Sequence, residues 1–183
     1  MKQRSQTLTC IVLKRSNLGE TDRIVTLITQ EQGKIACIAK GVRKLSSSTR
    51  ASLEPGNLVK AHLIFTKGMP LLVQSKLVED AASCRVTLPK IRQLSQILEI
   101  IDKLFVEEEL PQPIFQLIIK LRSEILCGST SRVRHYLDQL ITRLGFPSYN
   151  SKQHQTVLEY VQEIAERPMR SFQFLQPAES ATP

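Results

Sequence analysis

The spacing of apolar residues changes once along this chain, near Thr87, and the change divides it into two halves of different fold. Before it, apolar residues come in five short runs rich in Val, Ile, Leu and Thr, at 7–15, 23–29, 34–40, 58–65 and 71–77. Turn signals separate the runs: Asn17-Leu18-Gly19, Gln32-Gly33, Glu54-Pro55-Gly56-Asn57 and Gly68-Met69-Pro70. Such runs read as β-strands. Five of them predict a small closed barrel, of which the OB-fold is the commonest kind. Alternation agrees: Ile35, Cys37 and Ala39 share one face, and Lys34, Ala36, Ile38 and Lys40 the other. Val59, Ala61, Leu63 and Phe65 likewise alternate with Lys60 and His62.

After Thr87 the period is helical. Ile91, Leu94, Leu98, Ile101 and Phe105 form one stripe, widened by Ile97 and Leu104. Pro111 and Pro113 separate it from a second, made by Ile114, Leu117, Ile118, Leu121 and Ile125 and ending near Gly128. Ser129-Thr130-Ser131 offers a cap to a third helix carrying Val133, Leu137, Leu140, Ile141 and Leu144, which Gly145 and Pro147 stop. A fourth carries Val157, Leu158, Val161 and Ile164 and ends at Arg167-Pro168. The expected architecture is mixed, β then α. A five-stranded OB-fold barrel (1–80) precedes an all-helical domain (81–175) and a frayed tail (176–183).

Charge divides the chain at the same place. The whole sequence of 183 residues carries a net charge of +8, of which residues 1–80 hold +7 and residues 81–183 hold +1. A basic first half suits an anionic polymer as partner. Lys14, Arg15, Arg23, Lys34, Lys40, Arg43, Lys44 and Arg50 fall in or beside the first three runs. Gly41 lets the chain turn after the third run, and the hydroxyl-rich 46–49 is expected to be mobile. Hydroxyls and cations together suit phosphate oxygens. The only aromatic residue in 1–80 is Phe65, whose parity points it inward. Base stacking should therefore be weak and phosphate contacts dominant, so binding should be salt-sensitive and indifferent to sequence. Neutralising two backbones while leaving base edges open is a physical route to strand annealing.

Other chemistries find little support. Gly33-Lys34 lacks the phosphate-loop pattern, with Ile28 and Ile35 where Gly and Ser/Thr would stand. His62, His135 and His154 have no nucleophile or ligand pattern around them. Glu99 and Asp102 read as a solvated helix face, Glu20 and Asp22 as partners of a turn backbone, and Glu107-Glu108-Glu109 as loop. Cys10, Cys37, Cys84 and Cys127 are too scattered for a zinc site and read as small buried hydrophobes. No metal, cofactor or catalytic group is assigned, and a nuclease is the least supported reading. No apolar run reaches the roughly 18 residues of a membrane span. Lys14 and Arg15 break the one run near the N-terminus, so no signal peptide is read and the cytoplasm is expected.

The residues that carry a family resemblance lie in the basic half. They are Gly19-Glu20-Thr21-Asp22, Leu27-Ile28-Thr29, Gly33-Lys34, Ala39-Lys40-Gly41, Arg43-Lys44, the serines 46–48 and Leu53-Glu54-Pro55. In this order they resemble the N-terminal domain of RecO, the bacterial recombination mediator family. The helical half resembles it more loosely, through 98–105, Pro113-Ile114-Phe115, Leu144-Gly145-Phe146 and Arg167-Pro168-Met169-Arg170-Ser171. The resemblance implies an OB-fold followed by helices, binding to single- and double-stranded DNA, and annealing of complementary strands. It further implies partnership with RecR and with the acidic tail of single-stranded DNA-binding protein, in loading recombinase on gapped DNA. A groove for such a tail would draw on Lys120, Arg122, Arg132 and Arg134, cations beside apolar helix faces. The chain departs from many members of the family in lacking a four-cysteine zinc element, since 146–155 contains no cysteine. An RNA-binding or translation-associated OB-fold adaptor is the alternative, because nothing in these residues reports on the 2′-OH.

Overall fold

The computed structural model describes residues 5–106, 109–128, 130–149 and 157–166. Five strands come first: β1 (Ser5–Leu18), β2 (Asp22–Thr29), β3 (Gly33–Ala39), β4 (Leu58–Ile64) and β5 (Leu71–Glu79). After a short 3-10 turn at Ala82–Arg85 come four helices: α1 (Leu88–Leu104), α2 (Gln112–Cys127), α3 (Thr130–Arg143) and α4 (Val157–Ala165). The expected tail from Gln176, the 167–171 stretch, the stop at Arg167-Pro168, His154, Glu107 and Glu108 lie outside the described residues.

The strand order is β1-β2-β3-β5-β4, and β4 returns to pair with β1, which closes the sheet. β3 and β5 meet in parallel only at Ile38–Leu71 and Ala39–Leu72. This five-stranded arrangement followed by helices fits the architecture read from the sequence. Leu8, Cys10, Val12, Val25, Leu27, Ile35, Cys37, Ala39, Val59, Ala61 and Leu63 fill the interior, as the strand parity requires. Phe65 packs against its margin.

The connection from β3 to β4 differs from expectation. Two of its apolar residues, Val42 and Leu53, are buried in the same interior and pin its ends. Between them the chain makes successive tight turns, with Lys44 N–H donating to Gly41 O at 3.1 Å and Ser47 N–H to Lys44 O at 3.1 Å. What composition suggests is a mobile loop is a folded excursion held at both ends.

β1 is longer than its predicted run because it pairs with β4 from Ser5 and with β2 out to Leu18, and its middle is covered on both faces. Leu8, Cys10 and Val12 point into the barrel, while Ile11 and Leu13 join Ile28 and Leu58 in a second core built with the helices. An irregularity in the β1–β2 register between Val12 and Lys14 accompanies the crowding. To this second core α1 contributes Leu94, Ile97, Leu98, Ile100 and Ile101, with Phe105 just past its end. Ile91 is exposed, contrary to the stripe reading, because the packed surface begins one turn later. The stripe of α2, and Val133, Leu137, Leu140 and Ile141 of α3, are buried as expected, with Leu144 partly so. Of the cysteines, Cys10, Cys37 and Cys84 are buried, and burial pushes the Cys37 thiol up to about 12. Cys127, at the last turn of α2, is exposed and departs from the reading of all four as core residues.

A polar hub locks the two halves. Asn57 Nδ2 donates to Ala51 O and Ser52 O at 3.2 and 3.1 Å, and its Oδ1 accepts from Ala81 N–H at 2.9 Å. Gly56 has φ +87°, and a Cβ there would sit 3.0 Å from both Ala81 and Leu94, so only glycine fits without displacement. Arg122, expected on a partner-binding surface, is instead 2% exposed. Its guanidinium donates to Gly56 O, to Glu79 O at 3.0 Å, to Asp80 O at 3.1 Å and to the Glu79 carboxylate at 2.8 Å. Buried, and with all three nitrogens bonded to the barrel, it is not presented to an acidic tail.

Arg122→Ala would leave the buried Gly56 carbonyl and the part-buried acceptors of Glu79 and Asp80 without this donor. It should lower stability by about 1–3 kcal/mol, read as a drop in the denaturant midpoint; an unchanged midpoint would refute the locking role.

Candidate nucleic-acid interface

The basic residues sort by which side of the barrel the helices cover. Lys14 Nζ donates to Asp102 Oδ2 of α1 at 2.6 Å, although the lysine side chain is 61% exposed. Lys34, 18% exposed, donates to Asp102 O at 2.6 Å and lies 3.7 Å from Asp102 Oδ1. Asp102 itself is 13% exposed, so it is a largely covered anchor for two lysines and not the solvated face residue its helical spacing suggests. Lys34 N–H also donates to Val106 O at 3.0 Å, which ties the β2–β3 hairpin to the end of α1. These two cations serve the junction of barrel and helices.

The remaining six lie on or beside the turn between β1 and β2 and the turns after β3. Asp22 organises this region. Its Oδ1 accepts from Gly41 N–H at 2.8 Å and from the Thr21 hydroxyl at 2.8 Å. Arg43 completes the clasp, with N–H donating to Thr21 O at 2.9 Å and Nη1 to Gly19 O at 2.8 Å. Gly41 takes φ +63°, the left-handed conformation that turns the chain back over Asp22. The Gly41 amide, then the Thr21 hydroxyl, with Lys40 and Lys44 beside them, hold the Asp22 carboxyl below the usual carboxylate range. The Gly-Glu-x-Asp turn and the Ala-Lys-Gly stretch are thus two halves of one hydrogen-bonded clasp. Thr29 does similar work in the hairpin, its hydroxyl accepting from Gln32 N–H at 2.9 Å and donating to Gly33 O at 3.3 Å.

Around the clasp four guanidinium groups converge. Arg15 pairs with Glu54. Arg23 is half-buried, and its Nε reaches Asn17 Oδ1 at 3.5 Å. Burial, and then the charges of Arg15, Arg50 and Arg43 acting against the one carboxylate of Glu54, pull the Arg23 pKa below its ordinary value. Arg23 Nη1 is buried with no hydrogen-bond acceptor among the described residues. An excess of cations around an unsatisfied donor favours an anion there. Lys40, Lys44 and Arg50 are exposed, and no carboxylate pairs with them or with Arg43 among the described residues.

Of the four expected partner-binding cations, three are exposed on α2 and α3 and one is buried. Lys120 is exposed on α2. Arg132 and Arg134 are exposed on α3, Arg132 lying 3.5 Å from Glu124 Oε2. Arg134 lines a cleft of about 320 Å³ with His135, Asp138 and Tyr149. Arg122 is removed from the set by the junction it makes. Sequence reasoning missed Asn17, which holds Arg23. It also missed Leu45, which is 96% exposed at the crest of the β3–β4 turns. Among the described residues no group of three or more His, Cys, Asp or Glu could hold a metal ion, and no helix is long and apolar enough to cross a membrane.

The Asp22 shift has a definite sign. Its folded-state pKa lies below the unfolded value, so its contribution is full above that value and fades as pH falls through the folded one. Asp22→Ala should therefore melt below the parent at neutral pH, and the gap should shrink as pH falls below about 4. A gap independent of pH would exclude the clasp.

Residues 1–80 match the family model described as "Recombination protein O N terminal". The chain is 38% identical over 126 residues to the DNA repair protein RecO of Salinibacter ruber, covering 66% of this chain and 47% of that one. It is 32% identical over 124 residues to that of Shouchella clausii, covering 67% and 48%. To that of an Exiguobacterium species it is 28% identical over 142 residues, covering 76% and 56%. The chain spans about half the length of these curated relatives.

Proposed function

Since the chain belongs to the RecO family of DNA repair proteins, we propose that it binds single- and double-stranded DNA through its phosphates and promotes annealing of complementary strands. In this reading the OB-fold barrel (1–80) grips DNA and the helical domain (81–175) meets partners. The protein acts without catalysis, in the cytoplasm. With RecR it helps load recombinase on gapped DNA coated by single-stranded DNA-binding protein, whose acidic tail meets Lys120, Arg132 and Arg134.

The observation that carries the reading is the cation cluster left open by the helices: Arg15, Arg23, Lys40, Arg43, Lys44 and Arg50, with the Arg23 guanidinium short of an acceptor. Such a surface neutralises phosphates and displaces counterions, and no aromatic on it would occupy the bases. The clasp through Asp22 and Gly41 holds Arg43 and its neighbours in place before DNA arrives, which lowers the ordering cost of binding. Lys14 and Lys34, engaged by Asp102, contribute less.

Titration of a single-stranded oligonucleotide across salt tests this. With all six cations engaged, the slope of log affinity against log salt should be about −4. Arg43→Ala, Lys44→Ala and Arg50→Ala combined should flatten it by about two and weaken binding to every sequence alike. They should also slow annealing. An unchanged slope, or loss confined to certain sequences, would reject the interface.

A further inference from the structure

The connection between β3 and β4 has three large apolar residues. Val42 and Leu53 are buried in the barrel, while Leu45 is 96% exposed. A lone exposed leucine is ordinary on a protein surface; its setting here is not. Lys44 precedes it and the hydroxyls of Ser46 and Ser48 follow, so it stands within the polar surface assigned to phosphate. It occupies the second position of the turn closed by Ser47 N–H and Lys44 O at 3.1 Å, next to the turn closed by Lys44 N–H and Gly41 O at 3.1 Å. The Asp22–Gly41 clasp anchors those turns at 2.8 Å. Leu45 is therefore held outward by backbone hydrogen bonds at the crest of the cationic face.

We propose that Leu45 is an apolar wedge that inserts against the nucleobases of single-stranded DNA while Lys44, Arg43 and Arg50 hold the flanking phosphates. The inference rests on the DNA-binding reading above and adds to it a contact with the bases. Leucine has no polar atom with which to read base edges, so the contact is indifferent to sequence. Apolar side chains inserted between base steps unstack them at a cost. A single strand is already partly unstacked, so the wedge enters it more readily than a duplex. Burial of the side chain then adds a salt-independent increment to the phosphate grip.

The test compares the full chain with Leu45→Ala and Leu45→Met. One probe is a single strand carrying 2-aminopurine at an internal position; the other is an abasic strand of equal length. Leu45→Ala should weaken binding to the base-bearing strand by about three- to tenfold. It should abolish the rise in 2-aminopurine fluorescence and leave both the salt slope and the affinity for the abasic strand unchanged. Leu45→Met should retain most of the parent behaviour. Equal affinity of parent and Leu45→Ala for the base-bearing strand overturns the wedge and points Leu45 to a protein contact instead. So does an equal loss on both strands, which would mark a disturbed loop. Failure of the parent to bind either strand at low salt would overturn the phosphate reading itself, a distinguishable result.

Discussion

Burial of the outer face of β1 against α1 is the constraint from which the rest follows. Ile11 and Leu13 can leave water only if a helix covers that side of the barrel, and the chain supplies one with Leu94, Leu98 and Ile101. That choice brings Asp102 within reach of Lys14 and Lys34 and brings Gly56 close to Leu94. Arg122 then seals the seam with bonds to backbone carbonyls of the barrel. The helices thus decide which cations are spent on the fold. Arg23, Arg43, Arg50, Lys40 and Lys44 remain, since among the described residues no carboxylate forms an ion pair with them.

The open surface is organised by local hydrogen bonds rather than by a second layer of structure. Asp22 accepts the Gly41 amide, and Arg43 returns to Gly19 and Thr21. A carboxylate in the middle of a basic patch looks counterproductive, since it cancels charge. Here it holds the backbone of the turns that carry Lys40 and Lys44. Fixed cations lose less freedom on binding than cations on a loose loop. The buried Val42 and Leu53 reinforce this by tethering both ends of the excursion.

Much of this was legible in the residues. Strand parity placed Ile35, Cys37, Ala39, Val59, Ala61 and Leu63 inside, and the helical stripes of the second half were found with few errors. The run from Cys10 to Leu13 also held readable information: four apolar residues without alternation mark a strand covered on both faces. Arg122 and Asp102 were not legible, because spacing within one helix cannot reveal what a barrel brings up against it. Both sit at positions where a charged residue reads as surface, and both are claimed by residues at least 40 positions away in sequence. The loop after β3 misled for a related reason. Its Ser/Thr composition signals mobility, while its order comes from the distant Asp22 and from two apolar residues bracketing the polar stretch. Leu45 was passed over because one leucine in a polar segment has no period to report.

The proposed interface puts DNA on the face the helices leave open. Amide hydrogen exchange of the full chain, with and without single-stranded DNA at low salt, tests it most directly. New protection is expected in 19–23 and 40–50, with the β2–β3 hairpin around Lys34 and the α1 amides near Asp102 unchanged. Protection centred on Lys34 and α1, with 40–50 unaffected, would contradict it.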